Sequence, residues 1–163
     1  QTVINYMEYA KDAWLINLVQ NIAGKLVDKE TSPKYYFTDN GILNLFLLDG
    51  NTSLLENIVA VNLLLKYGRN DAVYFYNQSI EVDFYIPDDY TAIQVCYNLD
   101  NSDGTFDREV KALLKITEVL ECKNLLIITR DTERTVEIND KTIEVIPVWK
   151  WLLMLNHGQN DKT

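Results

Sequence analysis

The order of apolar patterns along the chain predicts a mixed α/β fold, one sheet with helices on both faces, built in the order helix, three strands, helix, strand. Three observations carry that prediction. From Ser53 to about Tyr67, Leu55, Ile58, Val59, Asn62 and the Leu65-Lys66 pair fall on one stripe, and Gly68 supplies a stop. Three strand-like runs follow, Ala72 to Tyr76, Glu81 to Ile86 and Thr91 to Tyr97, joined by links short enough for hairpins. From Phe106 to Glu121, Val110, Leu113, Leu114, Thr117 and Leu120 return to helical spacing, and Lys123 to Thr129 is a Leu- and Ile-rich strand that can rejoin the sheet in parallel.

The remaining elements flank this core. Val3, Ile4, Met7 and Tyr9-Ala10 have helical spacing, and the apolar run from Ala13 to Val19 turns to strand character. A turn-rich stretch, Lys29 to Pro33, precedes a strand at Lys34-Tyr35-Tyr36-Phe37-Thr38, ended by Asp39-Asn40-Gly41; Gly41 to Leu48 then reads as a short apolar helix. Late in the chain, Thr135 to Ile138 and Thr142 to Val145 flank Asn139-Asp140-Lys141 as a hairpin, and Pro147 opens a final helix through Trp149 and Trp151. Residues 1–30 are expected to lead in from an upstream region, 31–155 to form the domain, and 156–163 to be a polar, frayed tail. The start at Gln1, already in helical pattern, leads us to expect a piece of a longer protein.

A chain of 163 residues, 47% hydrophobic, can bury a core without disulfide or metal staples. Cys96 and Cys122 form no Cys-x-x-Cys pair and are expected to be reduced thiols in a cytoplasmic protein. Fifteen Lys and Arg against 24 Asp and Glu give a net charge of −9, which opposes nonspecific DNA binding by this piece alone. The apolar-rich stretch Leu43 to Leu48, interrupted by Asn44, falls far short of a membrane span.

The chemistry-bearing residues are carboxylates. There is no Gly-x-x-x-x-Gly-Lys-Ser/Thr phosphate loop, and the single histidine, His157, lies in the expected tail, which leaves histidine triads without material. Strand alternation puts Glu81, Asp83 and Tyr85 on one face, opposite Val82, Phe84 and Ile86, and sets Gln94, Cys96 and Asn98 opposite Ile93, Val95 and Tyr97. Hard cations take oxygen ligands, so Glu56, Asp83 and the Gln94 carbonyl could together hold magnesium. Each residue also has a structural reading. Ser53 and Glu56 are spaced as a capping box; Glu81 and Asp83 as an exposed strand face; Gln94 and Cys96 as core fillers. The three tryptophans are expected in core and domain packing.

The segments Lys34-Tyr35-Tyr36-Phe37-Thr38-Asp39-Asn40-Gly41, Leu55-Glu56-Asn57-Ile58-Val59, Glu81-Val82-Asp83-Phe84, Ile93-Gln94-Val95, Leu126-Ile127-Ile128-Thr129 and Ile146-Pro147-Val148-Trp149 resemble the uncharacterised C-terminal domain of bacterial and archaeal AAA+-type ATPases. That domain is similar to the restriction-endonuclease-like, PD-(D/E)XK nucleases. The resemblance implies a helix Glu at Glu56, a strand Asp at Asp83 and the first residue of a Gln-x-Lys motif at Gln94. It departs at Cys96, where the pattern calls for lysine, a cation that would orient the attacking water and offset phosphate charge. Arg108, Lys111 and Lys115 share a helix face, and Lys111 or Lys115 could substitute.

Three functions follow from these readings. In order of expectation they are a noncatalytic accessory or interaction domain serving its own N-terminal ATPase module; a magnesium-dependent nuclease using Glu56, Asp83 and Gln94; and nucleic-acid binding without cleavage in the full-length protein, through a basic patch at Arg108, Lys111, Lys115 and Arg130.

Overall fold

A computed structural model describes residues 2–26, 32–48, 50–68, 71–99 and 104–157. Residues 29–31 of the turn expected at Lys29 to Pro33 and residues 158–163 of the expected tail lie outside the described residues, while Asn156 and His157, expected in that tail, belong to the final helix. The elements are α1 (Thr2–Asp12), β1 (Ile16–Asn21), α2 (Ile22–Leu26), β2 (Lys34–Phe37), α3 (Asn40–Asn44), α4 (Asn51–Tyr67) and β3 (Tyr74–Asn77). There follow β4 (Glu81–Ile86), β5 (Thr91–Cys96), α5 (Thr105–Ile116), β6 (Asn124–Thr129), β7 (Arg134–Ile138), β8 (Lys141–Pro147) and α6 (Val148–His157).

Eight strands form one mixed sheet in the order β2-β1-β3-β4-β5-β6-β8-β7. The meander β3-β4-β5 is antiparallel, and β6 returns beside β5 in parallel after the α5 crossover, as the helix-then-strand pattern predicts. β8 extends the sheet in parallel to β6, and β7 pairs back on β8 as the expected hairpin. At the other side β1 lies between β2 and β3, so the opening strand joins the same sheet.

Helices cover both faces because the strands are apolar on both. On one face α4 and α6 bury Leu55, Val59, Leu63 and Trp151 against Phe84, Ile86, Ile93 and Val95. On the other, Val110, Leu113 and Ile116 of α5 pack on Val82, Tyr85, Cys96 and Ile127. The central strands β4 and β5 are buried on both sides, β5 along its whole length. No helix among the described residues is long and apolar enough to cross a membrane.

Several expectations are corrected. α4 begins at Asn51, two residues before the expected cap, with Gly50 at its N-cap and no side-chain capping bond. The Ser53–Glu56 capping box does not form, because Ser53 already lies inside the helix. The buried stripe of α4 runs through Leu55, Asn57, Val59, Ala60, Leu63 and Leu64, while Leu65 is exposed. Trp151 is in the core, but Trp14 and Trp149 are exposed. Strand alternation in β4 also breaks. Tyr74 pairs with Tyr85 and Tyr76 with Val82, so β4 spends one extra residue against β3. That bulge sends Val82 and Tyr85 into the α5 core and Phe84 into the α4 core.

Candidate functional site: a carboxylate centre closed by Lys34

The site is assembled where α4 crosses β2 and the bulged part of β4. A chain of side-chain amides fixes this crossing. The Asn57 amide donates to the Phe37 carbonyl at 2.9 Å and to Asn40 Oδ1 at 2.7 Å, and Asn40 donates to the Leu54 carbonyl at 2.9 Å. Asn57 is buried, and so polar a residue there is stable only with its bonds made. These ties hold the second turn of α4 over β2, where Glu56 meets Tyr36 and Lys34. The Tyr36 hydroxyl donates to Glu56 Oε1 at 2.8 Å.

Lys34 and Tyr36 lie two residues apart on β2, so both side chains leave the same face. Lys34 Nζ lies 2.8 Å from Glu81 Oε1, 3.3 Å from Asp83 Oδ1 and 3.4 Å from Glu56 Oε1. It also stands 5.4 Å from the centroid of the Phe75 ring. One ammonium group therefore contacts carboxylates from α4 and from two positions of β4. The bulge makes this possible by bringing Asp83 to the α4 side of the sheet beside Phe84.

Asp83 is held from the other direction by β5. Its Oδ2 accepts from the Val95 N–H at 2.9 Å, and its own N–H donates to Gln94 Oε1 at 2.9 Å. Gln94 Nε2 then donates to the Glu81 carbonyl at 3.1 Å and to Glu109 Oε2 at 2.7 Å. Arg108 Nη2 closes the far end on Glu109 Oε1 at 2.6 Å. The result is one polar network that runs through the sheet, from Glu56 above it to Glu109 and Arg108 beneath it.

The electrostatics follow from burial and from unequal charge. Three carboxylates face one ammonium, a formal −2 when all are ionised. Burial pushes the Asp83 carboxyl up to about 7, and the Glu56 charge adds to this, while Lys34 and the Val95 N–H pull it back only partly. Burial opposes the Lys34 charge, but Asp83, Glu56 and Glu81 outweigh it and hold the ammonium above its ordinary range. The Tyr36 hydroxyl is pushed far up by burial and then by Glu56, so it stays a donor.

Each residue expected at the site now has a place. Glu56 and Asp83 are brought together, with Lys34 between them. Gln94 lies next to Asp83, but its carbonyl is engaged by the Asp83 N–H and its amide by Glu81 and Glu109. Cys96 is buried and its Sγ contacts the Asn98 carbonyl at 3.0 Å. Lys111 and Lys115 are exposed on α5, on the opposite side of the sheet from Glu56. The residue missed from the sequence is Lys34. These donors do not fit a magnesium ion as they stand. The Gln94 oxygen is spent, an ammonium already occupies the space between the carboxylates, and among the described residues no group of three or more His, Cys, Asp or Glu could hold a metal. The expected basic patch is weakened as well, since Arg108 pairs with Glu109 and Arg130 with Asp131.

The molecule is thus a mixed α/β domain with a carboxylate centre partly compensated by its own lysine. No family model matches the sequence, and no solved structure matches it significantly. The chain is 32% identical over 162 residues to the uncharacterised protein MJ1544 of Methanocaldococcus jannaschii, in a match covering 94% of this chain. The chain spans 36% of that relative's length.

Proposed function

We propose that this chain is a noncatalytic accessory domain of a larger ATP-binding protein of the AAA+ type, restriction-endonuclease-like in fold, whose former metal centre is closed by Lys34. The observation that carries this reading is the position of Lys34 Nζ, within 3.4 Å of Glu56, Glu81 and Asp83 at once. A cation from the protein's own β2 does there the charge compensation that a divalent ion would otherwise do. The order α4-β3-β4-β5-α5-β6, with an antiparallel meander and a parallel return, supports the fold reading. A relative much longer than this chain supports its place as part of a larger protein.

One observation favours a second reading, magnesium-dependent hydrolysis of phosphodiester bonds. Lys34 brings to Asp83 the ammonium group that Cys96 cannot supply, and lysine in that neighbourhood suits a phosphate substrate. Plasmid and single-stranded DNA incubated with the domain in magnesium or manganese separate the two readings. The accessory reading expects no cleavage above an Asp83→Ala control. Metal-dependent cleavage that vanishes in Asp83→Ala would replace it with the nuclease.

A further inference from the structure

α4 and α6 cover the same face of the sheet but leave a space over the starts of β5, β6 and β8. Ile93, Leu126 and Glu144 stand in one row there, since Ile93 pairs with Leu126 and Leu126 with Glu144. Ile93 and Leu126 pack into the α4–α6 core, so Glu144 leaves the sheet on that face too. Between this row and the two helices lies a cavity of about 310 Å³. Its floor is Ile93 and Leu126; α4 contributes Leu63 and Tyr67, and α6 contributes Trp151 and Leu155. The Tyr67 hydroxyl donates to Asp89, which sets that ring as a wall.

The mouth of the cavity carries charge of both signs. Lys66, in the last turn of α4, and Lys123, just before β6, line it on one side. Lys66 is exposed, with Nζ 4.9 Å from the centroid of the Tyr67 ring, and has no carboxylate partner among the described residues. Lys123 Nζ lies 4.0 Å from the centroid of the Tyr90 ring and 3.8 Å from the exposed Glu121 carboxylate. Glu144 lines the other side. It is exposed on β8, two strands or roughly 10 Å from the β5 over which α4 packs. Two ammonium groups and a carboxylate therefore face each other across the entrance to an apolar space, on long side chains whose ends can converge.

We propose that this cavity binds a single apolar α-amino acid, its side chain on Ile93, Leu126 and Trp151, its carboxylate at Lys66 and Lys123, and its ammonium group at Glu144. An α-amino acid joins an anion, a cation and one apolar group at a single carbon, which is the combination that the mouth and the floor present. Charge-assisted hydrogen bonds to both ends fix its orientation, and the apolar lining selects the side chain. The volume stands at the lower end of the range of about 300–1,000 Å³ for ligand pockets, which suits one amino acid. Lys66 lies roughly 15 Å along α4 from Glu56, so the site is separate from the carboxylate centre and independent of the accessory reading.

The test is an NMR titration of the whole chain with each of the twenty free amino acids. Leucine, isoleucine, methionine or phenylalanine should bind with a Kd of about 1 mM or tighter, and shift the resonances of Leu126, Leu155 and the Trp151 indole. The charged and small polar amino acids should not. Amidation of the ligand carboxylate, or N-acetylation of its ammonium group, should each weaken binding about tenfold. Lys66→Gln should weaken the free acid and leave its amide unaffected, and Glu144→Gln should do the same for the free amine and its N-acetyl form. Thr142→Phe, at an exposed position on the mouth, should block the site without unfolding the domain. The proposal is overturned if no amino acid shifts these resonances at roughly 10 mM, or if polar amino acids bind equally well. Binding indifferent to N-acetylation, to amidation or to Lys66→Gln, or shifts confined to another surface, would overturn it as well.

Discussion

Replacing Lys34 with Met keeps the aliphatic stem beside Phe75 and removes the cation that Glu56, Glu81 and Asp83 share among the described residues. Breaking a fully buried pair from one side costs about 3–5 kcal/mol, while exposed pairs contribute about 0–1 kcal/mol. Lys34 and Asp83 retain 24% and 16% of their side-chain exposure, but Glu81 retains 52%. The expected loss therefore lies between these limits, at about 2 kcal/mol near pH 8. With a urea slope of about 2–3 kcal/mol/M for a domain of this size, the unfolding midpoint should fall by roughly 0.7–1 M. Near pH 5 Asp83 carries a proton, one carboxylate fewer is left uncompensated, and the loss should shrink to about 1 kcal/mol. A double-mutant cycle with Asp83→Asn, which preserves an acceptor for the Val95 N–H, should give a coupling of about 1 kcal/mol or more. An unchanged midpoint in Lys34→Met, together with coupling below about 0.3 kcal/mol, would refute the claim that Lys34 holds the centre together.

Gln94→Leu should destabilise by about 2–4 kcal/mol in urea unfolding, because it strands the Asp83 N–H, the Glu81 carbonyl and Glu109 without their buried partner. Asp83 should make the stability fall with rising pH. Its folded pKa, about 7, lies above its ordinary 3.8, so its contribution is complete below about pH 4 and is lost as pH rises through 7. The wild type should accordingly lose stability relative to Asp83→Asn across that window, measured by denaturation at stepped pH. Phe84→Ala, at a fully buried position in ring contact with Tyr36, should cost about 3–5 kcal/mol. Trp149→Ser, at an exposed position, should stay within about 0.5 kcal/mol of wild type in the same assay.

The sheet core was legible because its signals are local. Helical spacing to Gly68, two hairpin-sized links and a Leu- and Ile-rich run after α5 define α4, β3 to β6 and their directions. The capping box misled because Ser53 and Glu56 have the right spacing, yet Asn51 and Thr52 also adopt helical geometry and move the helix start upstream. The β4 face assignment failed for a related reason. Period-two reading assumes an unbroken ladder, and a one-residue bulge between Val82 and Tyr85 leaves no mark in composition. Glu56 and Asp83 could be proposed as partners from the sequence, but Lys34 could not. Its spacing with Tyr36 shows that the two share a face, whereas their meeting with Asp83 depends on β1 and β2 joining the sheet beside β3, 49 residues before that aspartate in the chain. The exposure of Trp14 was equally hidden, since it accompanies a left-handed backbone at that residue.

Calorimetric titration of the wild-type domain with manganese tests the closed carboxylate centre most directly. With Lys34 seated between Glu56, Glu81 and Asp83, the account predicts no saturable heat of binding. Saturable uptake of one manganese ion, abolished in Asp83→Ala, would contradict it and show that the lysine yields its place to a metal.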